Sequence, residues 1–121
     1  MNQTFHAGLR QIQNLAVIDL QGEINAFASQ ELQAVYEQAE RSSSKTILLN
    51  FEQVSYINST GIAIIVELLK KARLSQRRIS ACNLSDHYQE IFEITRLSEY
   101  IKIFPDENAA LLAETKKTGD N

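Results

Sequence analysis

The strongest constraint on this chain is the alternation of short apolar runs with helical stripes along its length. Four runs read as strands: Leu15 to Leu20 (LAVIDL), Thr46 to Phe51 (TILLNF), Arg78 to Asn83 (RISACN) and Tyr100 to Phe104 (YIKIF). The first two lack clean polar alternation, the pattern of strands covered on both faces of a parallel sheet. Between the runs, Ala28, Leu32, Val35, Tyr36 and Ala39 recur at helical spacing, giving one buried stripe with Ser29 placed to cap it. Ile62, Ile65, Val66 and Leu69 repeat that spacing, and Lys70, Lys71 and Arg73 gather at the C-terminal end, where cations complement the helix dipole. Tyr88, Ile91, Phe92 and Thr95 mark a third helix. Pro105-Asp106 opens a fourth, running through Ala109 to about Lys117. Strands and helices that alternate this regularly require crossover connections and a mostly parallel sheet, so the class is α/β. Gln3 to Ile12 supply an edge strand joined to the first run through Gln13-Asn14 in hairpin fashion.

The 121 residues include only four Gly and one Pro, and no linker or repeat divides them, which sets a single domain over 1–121 with its core at about 5–113. The tail Thr115 to Asn121 (TKKTGDN) is polar and expected to fray. Cys82 is the only cysteine, excluding an intramolecular disulfide and any CxxC zinc site and pointing to the reducing cytoplasm. The longest strongly apolar stretch, Ile62 to Leu69, contains Glu67 and is far shorter than the roughly 20 residues of a membrane span. The N-terminal MNQTFHAGLR lacks the basic region and apolar run of a secretory signal. A net charge of −3 argues against general attraction to nucleic acid or anionic lipid. The basic cluster Lys70, Lys71, Arg73, Arg77 and Arg78 therefore reads first as dipole complementation and solvation at a helix end.

Enzymatic chemistry finds little to build on. His6 and His87 are far apart and belong to no spaced ligand set, so no metal is expected. His87, beside Asp86 near a helix start, reads as exposed, and Cys82, at a strand end, as buried. GxGxxG and GxxxxGK[ST] are both absent, so no cofactor is expected. A serine nucleophile would need a base and an oxyanion hole, and no nucleophile elbow is present.

The informative segment is Val54 to Leu69, VSYINSTGIAIIVELL, in which Asn58-Ser59-Thr60-Gly61 follows a strand and opens into an apolar helix. Such a turn presents hydroxyls at a helix N-terminus, where unpaired N–H groups and the positive dipole end favour an anion. Read from composition alone the cluster is first a helix cap, since Asn, Ser and Thr are preferred there. Gly61 leaves room for close approach of another backbone. Ile64 and Leu68 widen the helix's apolar surface beyond one stripe, which fits either a protein-binding patch beside the hydroxyls or deeper burial under a neighbouring helix.

These residues resemble a known family. VSYINSTGIAII, the upstream LQGEINAFASQEL and the downstream ISACNLSDHYQEIFEITRLSEYIKIFPDENAAL resemble the STAS domain of bacterial anti-sigma factor antagonists, over about residues 5 to 113. The resemblance implies a βα superhelix around a small, mixed but mostly parallel sheet, with a leading β-hairpin and about four helices. It also implies a non-enzymatic partner-switching regulator of transcription. Ser59 would be phosphorylated by an anti-sigma factor that is a serine kinase of the ATP-binding kinase-like type, a serine phosphatase would reset it, and Thr60 is the alternative acceptor. Asn25, Asn58, Ser59, Thr60, Gly61, Ile62, Ile64 and Leu68 would bind the partner, which is neither nucleic acid nor membrane; self-association is left open. The family's usual acid before the serine is Asn58 here, and the acid closing its Gly-Glu-Leu-Asp type loop is Asn25, so two carboxylates are missing. The same resemblance admits a non-switching scaffold subunit of a stressosome-like assembly, or a STAS module binding a nucleotide or other small ligand.

Overall fold

The computed structural model describes residues 4–119. Five strands form one sheet in sequential order: β1 (His6–Ile12), β2 (Leu15–Ile24), β3 (Thr46–Ile57), β4 (Arg78–Cys82) and β5 (Lys102–Phe104). β1 and β2 form the expected antiparallel hairpin, with Gln13 in the left-handed region at its turn. β2, β3, β4 and β5 run parallel to one another. The helices are α1 (Ser29–Glu40), α2 (Ser59–Leu74), α3 (Asp86–Ile94) and α4 (Glu107–Gly119). The architecture is therefore the mixed, mostly parallel α/β fold that the alternation of runs and stripes requires.

Why the strands lack polar alternation is visible in their packing. Ala16, Ile18 and Leu20 of β2, with Ile47 and Leu49 of β3, join a core against α1, α2 and α3. The intervening Leu15, Val17, Leu48 and Cys82 join a second core on the other face, where Ala110 of α4 covers them. At the start of α4 that second face turns polar. Asp19 accepts from Arg10 and from Asn50, Asn50 accepts from Asn83, and Arg10 also reaches Glu107. The Arg10 guanidinium holds the Asp19 carboxyl below its ordinary range.

Several expectations need correction. Ser29 is the first residue of α1, not its cap; a 3₁₀ turn, Ala26–Ala28, precedes the helix, and Asn25 caps that turn instead. β1 begins at His6, and Gln3 lies outside the described residues. Asp106 accepts from the Ala109 N–H and so caps α4. Helix α4 ends at Gly119, two residues beyond the expected Lys117; Asp120 and Asn121 of the polar tail lie outside the described residues. A 3₁₀ turn at Leu97–Glu99, unforeseen from spacing, leads into β5. Ile64 and Leu68 do not form a surface patch: both point from α2 into the main core, because α2 lies across β2, β3 and β4 with α1 beside it.

Candidate functional site

The site begins with the unequal lengths of the strands. β3 pairs with β4 only through Asn50 opposite Cys82, then runs seven residues further to Ile57 beside β2 alone. The two strands thus end side by side, Ile24 opposite Ile57, beyond the rest of the sheet. The polar residues of Gln21–Glu23 and Glu52–Tyr56 do not stop them, because the ladder between the two backbones continues where side chains meet water. Tyr88 of α3 closes the open edge: its hydroxyl accepts from the Ile57 N–H at 2.8 Å. Sequence reasoning missed this contact, made across 31 residues.

Two asparagines then turn the chain at these adjacent strand ends. Asn25 Oδ1 accepts from the Phe27 N–H at 2.9 Å and starts the 3₁₀ turn. Asn58 Oδ1 accepts from the Gly61 N–H at 2.8 Å and starts α2, while the Asn58 N–H donates to the Ile24 carbonyl. In both places the side-chain oxygen is the working atom. An aspartate would make the same cap, so the absence of the two carboxylates leaves the geometry and removes only charge.

Gly61 is buried where α2 crosses the end of β2. A Cβ built on it would lie 2.1 Å from the Ile24 carbonyl oxygen and 2.9 Å from Ile57 Cγ2. The close approach that glycine permits is therefore made by this chain's own backbone and not by a partner's. Ile62 is half-buried against the core.

What remains on the surface is compact. Ser59 and Thr60, the first two residues of α2, are exposed, and among the described residues neither hydroxyl has a hydrogen-bond partner. No base activates Ser59, so the hydroxyl is a poor nucleophile of its own accord and an accessible acceptor for a group brought by another enzyme. The first turn of α2 holds no acidic residue, which leaves its positive dipole end uncompensated. Beside it, the turn carrying Phe27 packs on α2 and leaves that ring 93% exposed. Phe27 is not among the residues that the sequence singles out. Tyr56 is half-exposed on β3. Asn25, Asn58, Ser59 and Thr60 thus lie at one end of the sheet with Phe27 exposed beside them, whereas Ile64 and Leu68 are buried.

The remaining polar candidates lie elsewhere or are committed to the fold. His87 is exposed on α3, and Cys82 is buried at the end of β4, where burial pushes its thiol up to about 12. Arg77 donates to the carbonyls of Glu40, Ser42 and Ser44, and Lys71 donates to Gln33, so two cations of the basic cluster pin loops and helices. Among the described residues no group of three or more His, Cys, Asp or Glu is placed to hold a metal ion, and no helix is long and apolar enough to cross a membrane.

The family model described as STAS domain matches residues 6–110. The anti-sigma-B factor antagonist of Staphylococcus aureus is 29% identical over 82 residues, covering 68% of this chain and 76% of that protein. An anti-sigma factor antagonist from Mycobacterium paratuberculosis has the same fold, with a TM-score of 0.78 at 15% identity over 91% of this chain and 93% of its own. The Bacillus cell fate determinant SpoIIAA in its phosphorylated form superposes with a TM-score of 0.67 at 22% identity, covering 88% of this chain and 98% of that one.

Proposed function

The chain belongs to the STAS domain family, and on that premise we propose that it is a non-enzymatic anti-sigma factor antagonist of the cytoplasm, switched by phosphorylation of Ser59. Unmodified, it docks the end of the sheet carrying Phe27, Asn25, Asn58 and Ser59 onto an anti-sigma factor that is also a serine kinase of the ATP-binding kinase-like type. Phosphorylation then places about −1.5 to −2 charges inside that interface, where desolvation and repulsion favour release. A serine phosphatase restores the binding form.

One observation carries the reading: an exposed serine hydroxyl, without a hydrogen-bond partner among the described residues, at the N-terminus of α2 beside an almost fully exposed phenylalanine. The relative named above as an anti-sigma-B factor antagonist and the phosphorylated relative of the same fold support it. The helix dipole favours a phosphoryl group at Ser59 by roughly 0.3–1 kcal/mol per exposed charge. Asparagine at positions 25 and 58 removes the repulsion that two nearby carboxylates would add.

The test is incubation with the cognate kinase and ATP, followed by intact-mass measurement of wild type, Ser59→Ala and Thr60→Ala, and by binding of the purified unmodified and modified forms to that partner. One phosphoryl group on wild type and Thr60→Ala, none on Ser59→Ala, and loss of binding on modification are expected. Equal modification of Ser59→Ala, or equal binding by both forms, would refute the switch.

A further inference from the structure

At the opposite end of α2, about 20 Å along the helix from Ser59, the fold carries a second concave site with different chemistry. β5 begins opposite Ser80, so Arg78 and Ile79 of β4, paired with β3 on one side, have no strand on the other. The gap opens into a cavity of about 570 Å³ between the last turns of α2, the Leu97–Glu99 turn and the start of β4. That volume lies within the roughly 300–1,000 Å³ range of small-molecule sites. Its floor is apolar, made by Val66, Leu69, Ala72, Ile79 and Leu97.

The rim is strongly basic. Among the described residues lining the cavity are six cations and two carboxylates, four net positive charges on a chain whose total is −3. Arg77 is committed to backbone carbonyls and Arg78 pairs with Glu114. The other four, Lys70, Arg73, Arg96 and Lys102, are exposed and have no carboxylate partner among the described residues. Arg73 lies over the exposed Tyr100 ring at 5.9 Å, which sets a flat aromatic and a cation side by side at the mouth. Dipole complementation accounts for cations on the last turn of α2, where Lys71 and Arg73 lie. It gives no reason for Arg96 and Lys102, contributed by other elements, to converge on the same opening.

We propose that this cavity binds a small organic anion: a planar apolar body seated on the floor, with its acidic headgroup held at the Lys70, Arg73, Arg96 and Lys102 rim. The inference is independent of the switch proposed at Ser59. Phosphate and carboxylate headgroups share the required chemistry.

The probe is 1-anilinonaphthalene-8-sulfonate, titrated by fluorescence and calorimetry against the full chain, with neutral N-phenyl-1-naphthylamine as comparison. One saturable site per chain is expected, with binding at least tenfold weaker in Lys70→Gln/Arg73→Gln and weakened in Lys102→Gln. These side chains are exposed, and an unchanged thermal midpoint shows that the variants are folded. Displacement by 1-naphthyl phosphate or 1-naphthoate supports the proposal, and the tighter of the two assigns the headgroup. Absence of a saturable site, equal binding in the folded variants, equal binding of the neutral probe, or tighter binding of an oligoglutamate peptide than of either naphthyl anion overturns it.

Discussion

Adding one methyl group at Gly61 is expected to destabilise the protein, although alanine is the better helix former. The new Cβ would lie 2.1 Å from the Ile24 carbonyl oxygen, and ordinary contact needs 3.4 Å or more, so α2 must retreat from the end of β2 by about 1.3 Å. The obstructing atom is backbone within a ladder, already accepting the Asn58 N–H at 3.2 Å, and cannot rotate aside. Overpacking of this kind costs about 1–3 kcal/mol, and a rigid obstruction places it at the upper end. The gain in helix propensity offsets at most about 1 kcal/mol. A net loss of about 2 kcal/mol follows, which for a chain of this size lowers the thermal midpoint by roughly 6–12 °C. Gly8→Ala is the matched comparison: nothing lies within 4 Å of a Cβ there, so the same methyl group should be neutral or add up to roughly 1 kcal/mol. Urea and thermal melts followed by circular dichroism measure both. A Gly61→Ala protein as stable as wild type would refute the close approach of α2 to Ile24, and with it the placement of Ser59.

Asn58→Ala should lose about 1 kcal/mol by urea titration, because the Gly61 N–H loses its cap, whereas Asn58→Asp should keep the cap and gain a few tenths from the dipole. Tyr88→Phe should cost about 1–2 kcal/mol in the same assay, since the Ile57 N–H at the open edge of β3 is left without its acceptor. Asp19 has a folded pKa lowered first by the Arg10 hydrogen bond, so its contribution is present above the ordinary carboxylate range and is lost as pH falls through the lowered value. The stability difference between wild type and Asp19→Asn should therefore shrink between pH 7 and pH values below about 4, and a constant difference would contradict the assignment. Cys82, buried and with its thiol pushed up to about 12, should resist Ellman's reagent in the native protein near pH 8 and react fully in denaturant.

Which features the sequence disclosed follows from the range of the interactions that produce them. The covered strands of a parallel sheet are visible in LAVIDL and TILLNF because burial on both faces removes polar alternation locally. The cap at Asn58 is legible for the same reason, since donor and acceptor lie three residues apart. The extension of β2 and β3 to Ile24 and Ile57 is hidden, because it rests on backbone pairing between segments 33 residues apart, made by residues whose side chains are mostly polar. Burial of Ile64 and Leu68, as against exposure, depends on which elements α2 crosses, and either outcome produces the same apolar pattern along the helix. Phe27 is the converse: a residue type that usually marks a core stands almost wholly in water, because the Asn25 cap turns the chain outward before α1 begins. Exposing such a ring sacrifices roughly 1.5–3 kcal/mol of burial. The fold offers nothing in return at that position, whereas a partner seated on Ser59 and Phe27 together would recover it. The same ring would make that interface sensitive to one phosphoryl group, since charge at Ser59 must be desolvated wherever Phe27 is buried. Phe27→Ala should accordingly weaken partner binding by tenfold or more while leaving the thermal midpoint within a few degrees of wild type, a separation that surface plasmon resonance and differential scanning calorimetry together resolve.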